Sequence, residues 1–180
     1  MENRIVVAGF GGQGVLLIGQ VLCYAGMIEG KNVSWLPSYG PEMRGGTASC
    51  SVILSDGEIG SPLVTAPNHC IVMNLPSYAK YAPTVAQGGD LFINSSLIEE
   101  KSERSDITTY YVPCNESAQQ VGNLRTANMA MLGAFVARTG VVAQDSAMQA
   151  LAKVFGERRA NLLPINEQAM KLGDEMTIVG

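Results

Sequence analysis

The sequence predicts an α/β fold, a mixed or mostly parallel sheet flanked by helices and followed by a helical C-terminal tail. Three observations carry that expectation. Short apolar runs rich in β-branched residues recur between residues 4 and 112, as strands covered on both faces require. A glycine-rich turn and a segment of helical spacing separate the first two runs. Beyond residue 114 the apolar residues recur at helical spacing only. A length of 180 residues suits one domain, so a single unit over 1–180 is expected. A chain of this size hides about 70% of its unfolded surface, enough for a core without disulfides or metals.

Arg4 to Ala8 is a continuous apolar run with β-branched residues and reads as the first strand. A helix follows from about Gly14 to Glu29, with Val15, Ile18, Leu22 and Ala25 on one stripe. Leu16, Leu17 and Val21 make its other faces apolar too, so burial all round, against a partner surface, is expected. Asn32–Leu36 and Thr47–Leu54 read as strands, with Asp56-Gly57 turning the chain after the latter. Cys70–Asn74 is a further buried strand, Pro76–Val85 a short helix, and Leu91–Asn94 a strand entered through Gly88-Gly89-Asp90. Ile107–Val112 is the last strand expected, closed by Pro113. Asn115 is placed to cap a helix carrying Ala118 and Val121, and Asn123 to cap the next. In that second helix Met129, Leu132 and Val136 form the apolar stripe, Ala127, Ala130 and Ala134 keep another face narrow, and Gly140 ends it. Gln144–Phe155 and Pro164–Leu172 complete the tail, with Pro164 in a first turn and Gly173 past the end.

Composition bounds the function. With 47% hydrophobic and 16% charged residues the chain reads as globular rather than disordered. Its net charge is −4, and its 12 Lys and Arg residues are scattered, with Arg158-Arg159 the one adjacent pair. Nucleic acid and anionic membrane are therefore not expected as partners, since neutralising phosphates takes clustered cations. Val7 to Ile28 carries no charge, but Gly9, Gly11, Gly12, Gly14, Gln13 and Gln20 interrupt it. It is not expected to span a membrane. Cys23, Cys50, Cys70 and Cys114 form no CxxC pair, which gives neither an iron–sulfur nor a zinc signature. Free, buried thiols in a reducing cytoplasm are expected. The opening Met-Glu-Asn-Arg enters a strand at once, unlike a secretory signal.

Two turns carry the chemistry. Gly9-Phe10-Gly11-Gly12-Gln13-Gly14 satisfies G-x-G-x-x-G between a strand and a helix, the Rossmann-like setting. Such a turn lets backbone approach a ligand and leaves helix N-terminal amides to hold an anion. It serves either a phosphate or a partner's carboxylate, or simply tight strand-to-helix packing. A nicotinamide site also needs an acidic residue about 20 residues on, at the end of the second strand. Ser34-Trp35-Leu36-Pro37-Ser38 has none. A Walker A loop is excluded because no Gly-Lys-Ser/Thr follows.

The second turn is Ser38-Tyr39-Gly40-Pro41-Glu42-Met43-Arg44-Gly45-Gly46. It follows the second strand, so it should emerge on the same sheet edge as the glycine turn, near where α/β folds place ligands. Its Glu and Arg are either a solvated pair or part of a site.

Taken in order, the strand–GFGGQGV–helix unit, SYGPEMRGG, and the Asn123-x-Arg125-x-x-Asn128 helix with Leu132-Gly133-Ala134 resemble the gamma subunit of 2-oxoacid:ferredoxin oxidoreductases. The three segments cover Gly9 to about Gly140, and Asn161, Asn166-Glu167-x-Ala169 and Gly173 extend the likeness into the tail. The resemblance implies a multi-subunit cytoplasmic enzyme that oxidatively decarboxylates a 2-oxoacid with coenzyme A, this chain being inactive alone. Thiamine diphosphate, Mg and iron–sulfur clusters would lie in partner alpha, beta and ferredoxin-like delta subunits, with ferredoxin as acceptor and no cofactor bound by this chain alone. Gly45-Gly46 looks more like the 2-oxoglutarate or ketoisovalerate (branched-chain) types than the pyruvate type, and indolepyruvate enzymes carry a related subunit.

Within that frame Arg44 is a fork for a carboxylate or phosphate of substrate or coenzyme A. Glu42 would orient Arg44 or contact a partner chain; these two are the catalytic candidates. Tyr39 offers a hydroxyl and a stacking face. The amides of Gly11, Gly12, Gln13 and Gly14, together with Arg125 and Asn128, complete the expected cofactor-binding set, with Asn123 either a cap or a site residue. His69, the only histidine, is expected to be structural or exposed, and no metal site is expected. The competing classes are a stand-alone Rossmann-like nucleotide-binding protein and a purely structural interface module.

Overall fold

The computed structural model describes residues 1–38 and 47–180. Tyr39, Glu42 and Arg44 fall outside the described residues. The strands are β1 (Glu2–Phe10), β2 (Asn32–Ser38), β3 (Thr47–Ser55), β4 (His69–Val72), β5 (Asp90–Asn94), β6 (Thr108–Val112) and β7 (Ile178–Val179). The helices are α1 (Val15–Ile28), α2 (Leu75–Tyr81), α3 (Cys114–Val121), α4 (Ala127–Thr139), α5 (Gln144–Phe155) and α6 (Leu163–Glu175). Short 3₁₀ turns follow α2 and precede α4 and α6.

The seven strands form one mixed sheet in the order β2-β3-β1-β4-β5-β6-β7. Its centre is parallel, with β1, β4, β5 and β6 in register. β3 lies antiparallel between β1 and β2, and β7 closes the other side antiparallel to β6. Because β3 reverses direction and β2 reverses it again, β1 and β2 point the same way. The β1–α1–β2 unit is thus a parallel crossover split by an antiparallel strand.

The apolar runs alternate between two cores. Ile5, Val7, Cys50, Val52, Leu54, Ile71, Phe92 and Val112 face the layer built by α1, α4, α5 and α6. Val6, Cys70, Val72, Leu91, Ile93 and Tyr111 face the thinner cover that includes Ala82, Val85 and Ile98. Burial on both sides is why these strands read as unbroken apolar runs. α4 is the centre of the thick layer, every residue from Asn128 to Val136 being buried. Phe135 packs edge-on to Phe92, whose other neighbour, Tyr110, is stacked at 4.4 Å.

Several expectations shift. α3 starts at Cys114, so Asn115 lies in its first turn and does not cap it. Gly173 lies inside α6 rather than beyond it, because the helix needs a residue without a side chain against the backbone of Ala130. The single helix expected over Pro76–Val85 divides at Ala82 into α2 and a 3₁₀ turn. β7 has no counterpart in the sequence reading. In the chain by itself α1 leaves Leu16 and Leu17 half-buried and Met27 and Ile28 exposed, the apolar surface for which a partner is expected. No helix among the described residues is long and apolar enough to cross a membrane.

Candidate anion-binding cleft

The parallel strands end together on one rim, at Phe10, Val72, Asn94 and Val112. The chain leaves β1 toward one side of the sheet and β4 toward the other, so a crevice opens between these two ends, where open α/β sheets take ligands. The glycine turn fills its lip. Gly12 (φ 91°) and Gly14 (φ 73°) take left-handed backbone, and Gly14 caps α1. Among the described residues no side chain caps α1, and its first turn carries no acidic residue, so its N-terminal amides meet no side-chain acceptor there.

The side chain of Gln13 folds back. Its Oε1 accepts from the Phe10 N–H at 2.6 Å and its Nε2 donates to the Met73 carbonyl at 3.2 Å. Asn128, buried in the first turn of α4, donates from Nδ2 to the Gly14 carbonyl at 3.3 Å. It occupies the space a side chain at position 14 would need, so this glycine is required twice, by its dihedral and by its neighbour. Asn123 accepts from the Arg125 N–H at 3.0 Å and caps the 3₁₀ turn before α4, the local of its two expected roles.

These groups surround a cleft of about 410 Å³ lined by Gly12, Gln13, Gly14, Met73, Leu97, Asn115, Leu124, Arg125, Ala127 and Asn128. Gly12, Gln13, Gly14, Arg125 and Asn128, expected together from the sequence, therefore do converge; Gly11 is exposed in the turn and is not among the lining residues. Among the described residues Arg125 is the sole ionisable one of this lining, in a chain of net charge −4. One cation, helix amides and no carboxylate among these residues are the chemistry an anionic group would require. Asn115, Leu97 and Leu124 are lining residues that sequence reasoning missed. Leu97 and Leu124 remain 47% and 66% exposed, so the mouth of a polar cleft is apolar.

Ser38 and Thr47, which bracket the second turn, lie on the same rim: Ser38 pairs with Ser49, and Thr47 pairs with Phe10. His69 is remote, at the opposite edge, where Nδ1 meets Asp90 at 2.9 Å and Nε2 meets Asn3 at 3.3 Å. That is a structural role. All four cysteines are buried and free. Burial pushes the thiols of Cys23 and Cys70 up to about 12 and that of Cys50 to about 11, and raises Cys114 as well, so none offers a thiolate. Among the described residues no three His, Cys, Asp or Glu side chains cluster as a metal would require, and dispersed, protonated thiols do not fit an iron–sulfur cluster. A larger groove of about 570 Å³ between α5 and α6 is lined by Asp145, Glu167, Asp174 and Glu175 against one cation, Lys171, so its lining is net acidic.

The fold and the cleft define an α/β chain with a polar cleft at the carboxyl ends of its parallel strands. Residues 4–176 match the family model described as pyruvate ferredoxin/flavodoxin oxidoreductase, and the chain belongs to that family. It is 42% identical over 136 residues to the ketoisovalerate oxidoreductase subunit VorA of Methanothermobacter marburgensis, covering 76% of this chain and 28% of that protein. The chain thus spans under a third of the length of this relative. It is 35% identical to the 2-oxoglutarate synthase subunit KorC of the same organism, covering 84% and 85% of the two chains. The solved gamma subunit of a keto/oxoacid ferredoxin oxidoreductase from Geobacter sulfurreducens superposes with a TM-score of 0.81 at 30% identity, covering 96% of each chain.

Proposed function

We propose that this chain works as the gamma-type subunit of a multi-subunit 2-oxoacid:ferredoxin oxidoreductase, a single domain over 1–180 that holds the anionic part of a substrate for chemistry completed by other subunits. The observation that carries the reading is the cleft that joins the glycine turn to Arg125 and Asn128. Its ligand is coenzyme A, the acyl acceptor of the reaction, which carries phosphates. Arg125 and the α1 amides hold phosphate oxygens, Asn128 shapes the floor, and the backbone at Gly12, with no atom near the position of a Cβ, permits close approach. Thiamine diphosphate and iron–sulfur clusters, held by partner subunits, supply carbanion chemistry and electron transfer; no residue of this chain takes a step in either.

Exposed apolar side chains around the rim support a site completed by another chain. Phe10, Leu75, Leu97 and Leu124, at the ends of β1, β4 and β5 and before α4, are all exposed. Exposed apolar residues gathered about a polar hollow suit a protein neighbour better than water. Tyr39, Glu42 and Arg44 lie outside the described residues; the proposal gives Arg44 the role of a second cation for the ligand, supported by β2 ending and β3 starting at this rim. The similarity to ketoisovalerate and 2-oxoglutarate enzymes supports a branched-chain or dicarboxylic 2-oxoacid as substrate of the complex.

The test is reconstitution. The chain alone should reduce no viologen dye with any 2-oxoacid, whereas assembly with alpha, beta and delta subunits should give coenzyme A-dependent reduction. Arg125→Ala should raise the KM for coenzyme A in an intact assembly. Turnover by the isolated chain, or an unchanged KM, would overturn the proposal.

A further inference from the structure

We infer that Gln13 and Asn94 act together as positioning residues for the cleft, using the Met73 carbonyl oxygen as a common anchor. The inference rests on the reading of the cleft as an anion site. Asn94 closes β5 and is fully buried. Its Nδ2 donates to the Met73 carbonyl at 3.4 Å and its Oδ1 accepts from the Ser96 N–H at 3.2 Å. From the opposite side Gln13 Nε2 donates to the same carbonyl oxygen at 3.2 Å, while its Oε1 takes the Phe10 N–H. Two primary amides and one carbonyl thereby tie the ends of β1, β4 and β5 across the rim.

Each amide gives one N–H and one acceptor lone pair to backbone, which fixes its own orientation. Their effect is on the turn between them. Gly11, Gly12 and Gly14 restrict the chain little, and an untied turn would aim the α1 amides over a range of directions. Ordering it would then be charged against every binding event, which a pre-formed site avoids. The corner is tightly packed: a Cβ at Gly9 would lie 2.7 Å from Gln13 Oε1 and 2.8 Å from both Met73 Cβ and Val15 Cγ1. The first glycine of the motif is therefore demanded by Met73 and Val15 together with the folded-back Gln13.

Two measurements on the 180-residue chain test this: backbone-amide hydrogen exchange without ligand, and calorimetric titration with inorganic pyrophosphate. Gln13→Met removes both hydrogen bonds at similar length, and Asn94→Asp keeps the acceptor for Ser96 while replacing the donor; Asn94→Ser substitutes should the aspartate fail to fold. Each should speed exchange across residues 10–17, leave the rest of the sheet unchanged, and weaken pyrophosphate about tenfold, the scale of one hydrogen bond. Because the anchor is shared, the double variant should bind about as weakly as the worse single one. Arg125→Ala should weaken binding with exchange unaltered. Unchanged exchange in the Gln13 and Asn94 variants, or faster exchange with unchanged affinity, would overturn the positioning role while the cleft reading stood. A wild-type chain that binds no pyrophosphate, with exchange still faster in the Gln13 and Asn94 variants, would overturn the cleft reading, and the assigned role with it.

Discussion

Glycine does opposite work in two regions of this molecule. Along the seam of α4 and α6, Gly133 lies against the backbone of Met170 and Gly173 against the backbone of Ala130. Two helices meet there main chain to main chain, with no space for a methyl group. At the rim, a Cβ added to Gly12 would meet nothing within 4 Å. There the missing side chain permits a left-handed dihedral and leaves open space for a ligand. The seam glycines maintain the packing of the fold, and the rim glycine maintains access. Damage at the first should appear as lost stability, and damage at the second as lost binding.

The sharpest way to break that distinction is Gly173→Val. Forcing a branched side chain into the seam should cost about 3 kcal/mol, read as a lower urea midpoint. An unmoved midpoint would mean the helices do not meet through their backbones. Arg125→Ala should do the reverse, removing about 2 kcal/mol of anion affinity, the worth of charge-assisted hydrogen bonds. As its side chain is exposed, the midpoint should hold within about 0.5 kcal/mol.

The buried thiols sharpen the contrast through pH. Their folded values lie above the ordinary 9.0, so the unfolded chain loses these protons first as pH rises. Their contribution to stability is complete below pH 9 and is lost toward pH 12, at about 1.4 kcal/mol per pH unit for each thiol. Denaturation curves from pH 8 to 10 should show this decline, and Cys70→Ala should make it shallower. The smallest effect is expected of Gly12→Ala, about 1 kcal/mol for a left-handed alanine. Gly12→Asn should recover part of that, since asparagine tolerates this dihedral. If Gly12→Ala destabilised as strongly as Gly173→Val, the rim would be packed like the seam.

What the sequence revealed followed the same division. β1, β4 and β5 were legible because burial on two faces leaves unbroken runs such as Leu91-Phe92-Ile93. The convergence of Gly12, Gly14, Arg125 and Asn128 was legible because a strand-to-helix glycine motif fixes which sheet edge it occupies. β7 was not, since two residues carry no periodicity and their pairing with Tyr110 and Tyr111 is purely tertiary. Gly173 misled for a related reason: a glycine after a periodic stretch resembles a helix stop, and only the proximity of Ala130 keeps it in α6. Asn94 left a faint signal, a polar residue ending an apolar strand, but its partner at Met73 is a main-chain atom that no side-chain pattern reports. The exposure of Leu97 and Leu124 was invisible because apolar residues in short loops are normally covered. Arg44 and Glu42 lie outside the described residues, and their place at the site stays with the proposal.

The most direct test of the anion cleft is to titrate coenzyme A into the isotopically labelled chain and follow its backbone amide resonances. The account predicts saturable shifts at Gly12, Gly14 and Val15 and around Arg125 and Asn128, abolished by Arg125→Ala. Shifts confined to the acidic groove between α5 and α6, or no shift at these five residues at saturating ligand, would contradict it.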